Sequence, residues 1–114
     1  MTEAFKSPLL ALAALLAKAK LYDQAQAWYV RALNKGPQGI TLCRIYVGLA
    51  ETEFQRGHPG NARHYARLCL EAMAQGRVTE ENPLTTQLLV QATWYYTEGQ
   101  NTANGAGRTR LTRQ

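Results

Sequence analysis

The chain has 114 residues, of which 46% are hydrophobic and 18% charged. This length holds one domain with a core of its own, and the hydrophobic content excludes wholesale disorder. The formal net charge is +5, but three arginines (Arg108, Arg110 and Arg113) lie in the last seven residues. We therefore interpret the chain as a domain of nearly balanced charge with a basic tail. It lacks the basic stripe along one face that nucleic-acid binders carry.

The two cysteines, Cys43 and Cys69, stand 26 residues apart inside apolar helical patterns. They form no CxxC motif and have no histidine pair nearby, so they fit neither a zinc site nor a secreted disulfide framework. We expect buried, reduced thiols, no metal and no cofactor, and a cytoplasmic location. The apolar stretch of residues 9–17 is too short to span a bilayer and lacks the order of a signal peptide, so we interpret it as the first helix of the fold.

The first two predicted helices are marked by capping and breaking residues. Ser7 is placed as the N-cap of the first helix and Pro8 lies in its first turn. The helical pattern breaks around residues 20–22, where Asp23 can cap the second helix. The Asn-Lys-Gly-Pro run at residues 34–37 ends that helix.

Three further helices follow the same periodicity. They are predicted over residues 40–56, over residues 61–74 after a turn at residues 57–60, and from Pro83 onward. From Gly99 on, Asn, Thr, Gly and Arg dominate the composition. The sequence thus predicts a five-helix, all-α domain over residues 1–99 and a flexible basic tail over residues 100–114.

An internal repeat is the most informative feature. Residues 12–25 align with residues 49–62: each segment begins with Leu-Ala and ends with an alanine, and Ala25 and Ala62 are 37 residues apart. A spacing of this size is typical of helical-hairpin arrays.

This pattern resembles the tetratricopeptide repeat family over roughly residues 7–99. The two Leu-Ala pairs match the large and small residues of the family's first helix, Gly57 matches its turn glycine, and Ala25 and Ala62 match the small residue where paired helices cross. The resemblance implies a stack of two helical hairpins, with the fifth helix as a cap on the open end. Lys20 departs from the pattern, because the first repeat would carry its glycine there.

The resemblance also implies a concave groove lined by the first helix of each hairpin. Leu10, Val47, Leu89 and Tyr96 would be its hydrophobic contacts for a partner. The groove-facing positions in chain order are Leu10, Ala14, Ala17 and Lys18, then Val47, Glu51, Phe54 and Gln55, then Leu89, Thr93, Tyr96 and Thr97.

No catalytic machinery is visible, because the chain has no GxGxxG, Walker-type, HExxH or GxSxG motif. His58 and His64 have no carboxylate or cysteine at a useful spacing, which favours surface or capping roles. We therefore expect a non-enzyme: an adaptor or chaperone that holds a peptide or amphipathic helix of another protein in the groove. Its size resembles that of bacterial secretion-system chaperones, which is the narrower form of this hypothesis.

Two other functions stay open at this stage. With only two hairpins, the exposed end faces of the stack would allow copies to assemble into a structural scaffold. Alternatively, Arg108, Arg110 and Arg113 would bind an anionic surface or nucleic acid, which the scattered charges elsewhere make the less favoured hypothesis.

Overall fold

The computed structural model describes residues 8–76, residue 78 and residues 83–101. These residues form five helices: α1 (Pro8–Lys18), α2 (Tyr22–Leu33), α3 (Gly39–Gln55), α4 (Pro59–Ala74) and α5 (Pro83–Asn101). No strand occurs in these ranges. The predicted all-α architecture with five helices is confirmed.

Each helix packs against the next one in the chain, and α5 also contacts α3. The arrangement is a stack of two hairpins, α1–α2 and α3–α4, with α5 covering the second hairpin. α3 lies in the middle and contributes buried residues to both apolar clusters. The first cluster joins α1, α2 and α3 through Leu10, Ala13, Ala25, Tyr29, Ala32, Ile45 and Leu49. The second joins α3, α4 and α5 through Ile40, Cys43, Val47, Cys69, Ala72, Leu88 and Ala92.

Small residues occupy the most buried positions of the repeat. Ala25 and Ala62, which the repeat predicts as contact points, are both fully buried, and so are Ala13 and Ala50 of the two Leu-Ala pairs. Alanine at these positions lets helix axes approach closely, while the larger side chains beside it fill the grooves.

The starts of α2 and α4 differ from the prediction. α2 begins at Tyr22, and Leu21 occupies its N-cap position without a side-chain cap. Asp23 therefore lies inside the helix, where its carboxylate accepts a hydrogen bond from Arg56 instead of capping. α4 begins at Pro59, two residues earlier than predicted, because a proline at the first helical position has no N–H to leave unpaired.

Lys20 keeps the backbone conformation of the glycine that it replaces in the repeat. Its φ is 65°, and Gly57, 37 residues later, has a φ of 85°. Both residues close the turn inside a hairpin in the left-handed region, which a side chain disfavours by about 1 kcal/mol or more. The two hairpins thus turn in the same way despite different residues.

The fifth helix continues past the predicted domain end at residue 99, to Asn101. Gly99, the last residue of the predicted domain, is buried in the last turn of α5. A Cβ atom at this position would come within 2.7 Å of the Pro59 carbonyl oxygen, so the absence of a side chain lets α5 approach the start of α4. Ser7 and residues 102–114, with the three tail arginines, lie outside the described residues.

Candidate interaction surface

The predicted groove residues of α1 are mostly covered by the fold. Leu10 is only 4% exposed and belongs to the core between α1, α2 and α3. Ala14 is half-buried and Lys18 is exposed. The prediction that Leu10 contacts a partner is therefore corrected, since its side chain packs against α2 and α3.

On α3 the predicted residues separate into core and surface. Val47 is 6% exposed and packs in the second apolar cluster, so it is not available to a partner either. Glu51 and Gln55, one helical turn apart, are both exposed. Phe54 is half-buried and lies beside α5. Among the predicted groove residues of α3, Glu51 and Gln55 in its last two turns are the exposed ones.

On α5 the predicted groove residue Tyr96 contacts α4 instead of a groove beside α3. The ring of Tyr96 lies under the Arg63 guanidinium of α4, 4.3 Å from its carbon, and its hydroxyl accepts a hydrogen bond of 2.8 Å from Arg63 Nη2. Leu89 is seven residues from Tyr96, and this spacing places it on the same α4 side of the helix. Thr93 is exposed, and its hydroxyl donates to the Leu89 carbonyl. These three side chains do not join Glu51 and Gln55 in one groove.

The structure instead brings Trp94 and Tyr95 of α5 against Phe54 of α3. The Phe54 and Trp94 ring centroids are 5.5 Å apart, the Phe54 and Tyr95 centroids 5.8 Å, and the Trp94 and Tyr95 centroids 4.9 Å, all in edge-to-face geometry. This geometry is favourable for aromatic pairs because the positive ring edge meets a negative ring face. Trp94 remains 50% exposed, so the cluster is open to solvent on one side.

Two carboxylates lie near these rings. Tyr95 lies near Glu51: burial raises the pKa of the Tyr95 hydroxyl to about 12, and the negative charge of Glu51 contributes to the same rise. Glu98 follows Trp94 by one helical turn on α5, which places the two side chains on the same side. No ion pair to Glu51 or Glu98 occurs between described residues. We name Glu51, Phe54, Trp94, Tyr95 and Glu98 the acidic aromatic surface.

A second candidate, a polar depression of about 420 Å³, lies where the turn of the first hairpin meets the turn of the second. Its central arginine is already paired: Arg56 Nε donates to Asp23 Oδ1 at 2.8 Å, and Arg56 Nη1 donates to both oxygens of the buried Glu53 at 3.0 and 3.1 Å. His58 Nδ1 lies 2.9 Å from Glu53 Oε1, so the expectation that His58 has no carboxylate partner is wrong. The hydrogen bond to Asp23 is the main reason that the Arg56 pKa is above its ordinary value. The ion pairs of Arg56 thus connect the two hairpins, and Lys20 is the remaining charged residue that lines the depression.

The cysteines do not form a reactive site. Cys43 and Cys69 are fully buried and are not joined in a disulfide, and Cys43 Sγ lies 4.0 Å from the Cys69 carbonyl oxygen. Hydrogen bonding to Cys43, together with burial, raises the pKa of the Cys69 thiol, which keeps it protonated and weakly nucleophilic. Within residues 8–76, 78 and 83–101, no three His, Cys, Asp or Glu side chains are grouped to hold a metal ion. None of the described helices combines the length and apolar character needed to cross a membrane.

The predicted groove residues do not include Trp94 or Tyr95, so the sequence analysis missed the position of Trp94 at the surface. The buried side of α5 is formed by Leu88, Ala92 and Gly99. Trp94 and Tyr95 lie on the side of α5 that faces α3, where both contact Phe54. Gly99 was the available signal, because a glycine seven residues after Ala92 fixes which side of α5 faces α4. A scan against protein-family models, a search of curated proteins and a search of solved structures each found no match to this chain.

Proposed function

We propose that this protein is an interaction module that binds an amphipathic helix or peptide of another protein on the acidic aromatic surface between α3 and α5. The single observation that carries the proposal is Trp94, an aromatic side chain that is half exposed while its other half is fixed by Phe54 and Tyr95. Large aromatic side chains held rigidly at a surface are typical anchors of protein interfaces, because little conformational entropy is lost when a partner covers them. The resemblance to tetratricopeptide repeats supports the same class of function, and the secretion-chaperone form of it rests on size alone.

The surface has enough apolar area to contribute to binding. Covering the exposed half of Trp94 would remove roughly 100–125 Å² of aromatic surface from water, a gain of about 3 kcal/mol before ordering costs. This is a useful share of a micromolar affinity, which corresponds to about 8 kcal/mol. Phe54 and Tyr95 add smaller areas, because both are already half-buried.

The charges define the chemistry of the partner. Glu51 of α3 and Glu98 of α5 place negative charge near the rings, and aromatic ring faces attract cations. The partner segment should therefore combine apolar side chains, which cover Trp94, with lysine or arginine beside them. An amphipathic helix with a basic edge has both properties.

The proposal is tested with two designed helical peptides of Leu and Lys or of Leu and Glu, identical in length and apolar pattern. Trp94 reports binding through its fluorescence once the other tryptophan is removed by Trp28→Phe. We expect the Leu/Lys peptide to shift the Trp94 emission to the blue and to bind more tightly than the Leu/Glu peptide. The net charge of the whole chain, +5, favours the opposite order, so a preference for the basic peptide reports the local surface.

Glu51→Lys should reverse or abolish the preference, while Glu71→Lys should not. Glu71 is the control because it is an exposed acid on α4, where it pairs with Arg67 and not with a residue of the acidic aromatic surface. Equal binding of both peptides, or a preference that is insensitive to Glu51→Lys, would reject the acidic aromatic surface as the binding site. Circular dichroism of each variant shows whether helicity is retained.

A further inference from the structure

The two helices at the ends of the stack carry the fewest charges. Lys18 is the single charged residue of α1, and Glu98 is the single charged residue of α5. Helices on the surface of a monomeric domain normally have a polar outer face, and terminal repeats of helical arrays need one for solubility. Here the ends of the stack are less charged than its middle.

The outer face of α1 matches a face that is buried elsewhere in the same fold. Leu12 and Leu15 correspond, at the 37-residue repeat distance, to Leu49 and Thr52 of α3. The two α3 residues are fully buried, whereas Leu12 is 37% exposed and Leu15 is 64% exposed. α1 thus presents to solvent a face of the type that another helix covers in the second hairpin.

The outer face of α5 carries a single charge, because Glu98 lies two helical turns after Val90. Val90, 62% exposed, lies opposite the buried stripe of Leu88 and Ala92, because two residues along a helix correspond to a rotation of about 200°. Thr86 and Thr97 extend this face along the helix, and both are exposed. α4 and α3 contact the other sides of α5, so no described helix covers this one.

We propose that copies of this chain associate head to tail, with the outer face of α1 in one copy packed against the outer face of α5 in the next. A second copy is the occupant that matches both ends at once, since each chain carries one face of each kind. The charges agree, because the lone charge of α1 is positive and the lone charge of α5 is negative, and both lie in or near the last turn of their helix. The α5 face shares Glu98 with the acidic aromatic surface, but the inference does not depend on peptide binding there.

The size of the contact determines its strength. α1 has 11 residues and is therefore about 16 Å long, so a contact along it falls below the roughly 1,200 Å² of total buried area that stable interfaces need. The association is therefore weak and reversible. Because a head-to-tail contact leaves one free end of each kind, it also continues into longer assemblies unless a ring closes.

The test is sedimentation equilibrium of the full chain over a concentration series up to about 1 mM, where contacts of this size become populated. The weight-average mass of the wild-type chain should rise with concentration. Leu15→Glu and Val90→Glu should each lower the association constant at least about tenfold, because a charge then faces an apolar surface. Ala27→Glu, at an exposed position of α2, is the matched control and should leave association unchanged.

Mixing the two variants identifies the geometry. The Leu15→Glu chain keeps an intact α5 face and the Val90→Glu chain keeps an intact α1 face, so an equimolar mixture should form dimers that grow no further. A wild-type chain that stays monomeric at every concentration would overturn the proposal. Unchanged self-association of either variant alone would overturn it too, because that result requires α1 to pack on α1, or α5 on α5. The peptide assay for Trp94 should be unaffected by Leu15→Glu, which separates this proposal from the previous one.

Discussion

Replacing Gly48 with alanine tests the central helix crossing of the fold. Gly48 is buried in the middle of α3, where the ring of Tyr29 from α2 lies against its Cα. A Cβ atom added there would come within 2.6 Å of the Tyr29 hydroxyl oxygen and closer still to two carbons of the ring. Tyr29 is itself only 4% exposed, so its ring has little room to move away.

Two effects of opposite sign determine the free energy of unfolding of Gly48→Ala. Alanine stabilises a helix interior by about 1 kcal/mol relative to glycine. Overpacking a buried site costs about 1–3 kcal/mol, and a rigid ring at this distance places the cost toward the upper end. We expect a net loss of about 1–2 kcal/mol.

Urea denaturation followed by circular dichroism at 222 nm measures this loss, and two comparisons show its cause. Gly60→Ala on α4 is the matched control, because Gly60 is a helical glycine with no atom within 4 Å of the added Cβ, so it should stabilise by up to about 1 kcal/mol. In a Tyr29→Leu background, which removes the distal ring atoms and the hydroxyl, Gly48→Ala should become neutral or stabilising. If Gly48→Ala stabilises the wild-type chain as much as Gly60→Ala does, the described contact between α2 and α3 is wrong.

Two further predictions follow from polar groups. Arg56→Ala should lower the free energy of unfolding by about 2 kcal/mol, because it removes a partner of the buried Glu53 carboxylate. Asp23→Ala should cost less than about 1 kcal/mol, since the Asp23 side chain is 88% exposed. Equal losses for the two variants in urea denaturation would contradict this order. Burial, with a contribution from the negative charge of Glu51, raises the pKa of Tyr29 from an ordinary 10.0 to about 12. The unfolded chain therefore releases this proton at a lower pH than the folded chain does. Stability that is present below pH 10 is lost as the pH rises toward 12. Tyr29 should account for about 2–3 kcal/mol of the loss, so Tyr29→Phe should lose that much less over the same pH range while it keeps the contribution of Tyr95. Parallel stability-versus-pH curves for the two chains would refute the assignment.

The fold was accessible from the sequence because it depends on features that tolerate small errors of register. Ala25 and Ala62 mark helix contacts whichever large residues surround them, and both are fully buried. Helix ends were predicted within a few residues, since glycine and proline punctuate them. The error at Asp23 is informative, because an aspartate near the start of a helix can act either as the N-cap or as an ion-pair partner in the first turn. Only the position of Arg56, 33 residues away, distinguishes the two roles.

Lys20 shows the same limit from the other direction. A lysine gives no indication of the left-handed backbone that Lys20 adopts, because the repeat pattern that it resembles has a glycine at this position. The repeat at Gly57 predicts the turn, but not that a lysine adopts it at a conformational cost. Local residue preference is overridden here by the packing of the hairpin that the turn connects.

The interaction surface was harder to predict than the fold because it depends on the direction of single side chains. A shift of one residue along a helix rotates the assigned face by about 100°, which exchanges a groove position for a neighbouring side. The sequence placed Tyr96 in the groove, whereas Tyr96 contacts Arg63 of α4 and Trp94, two residues earlier, contacts Phe54 of α3. The buried stripe of α5 is unaffected by this choice, since Leu88 and Ala92 are buried in either case. A hairpin stack can therefore be correct in every helix and still present a different set of side chains to its partner, which is why the charge-reversal test at Glu51 is directed at the surface rather than at the fold.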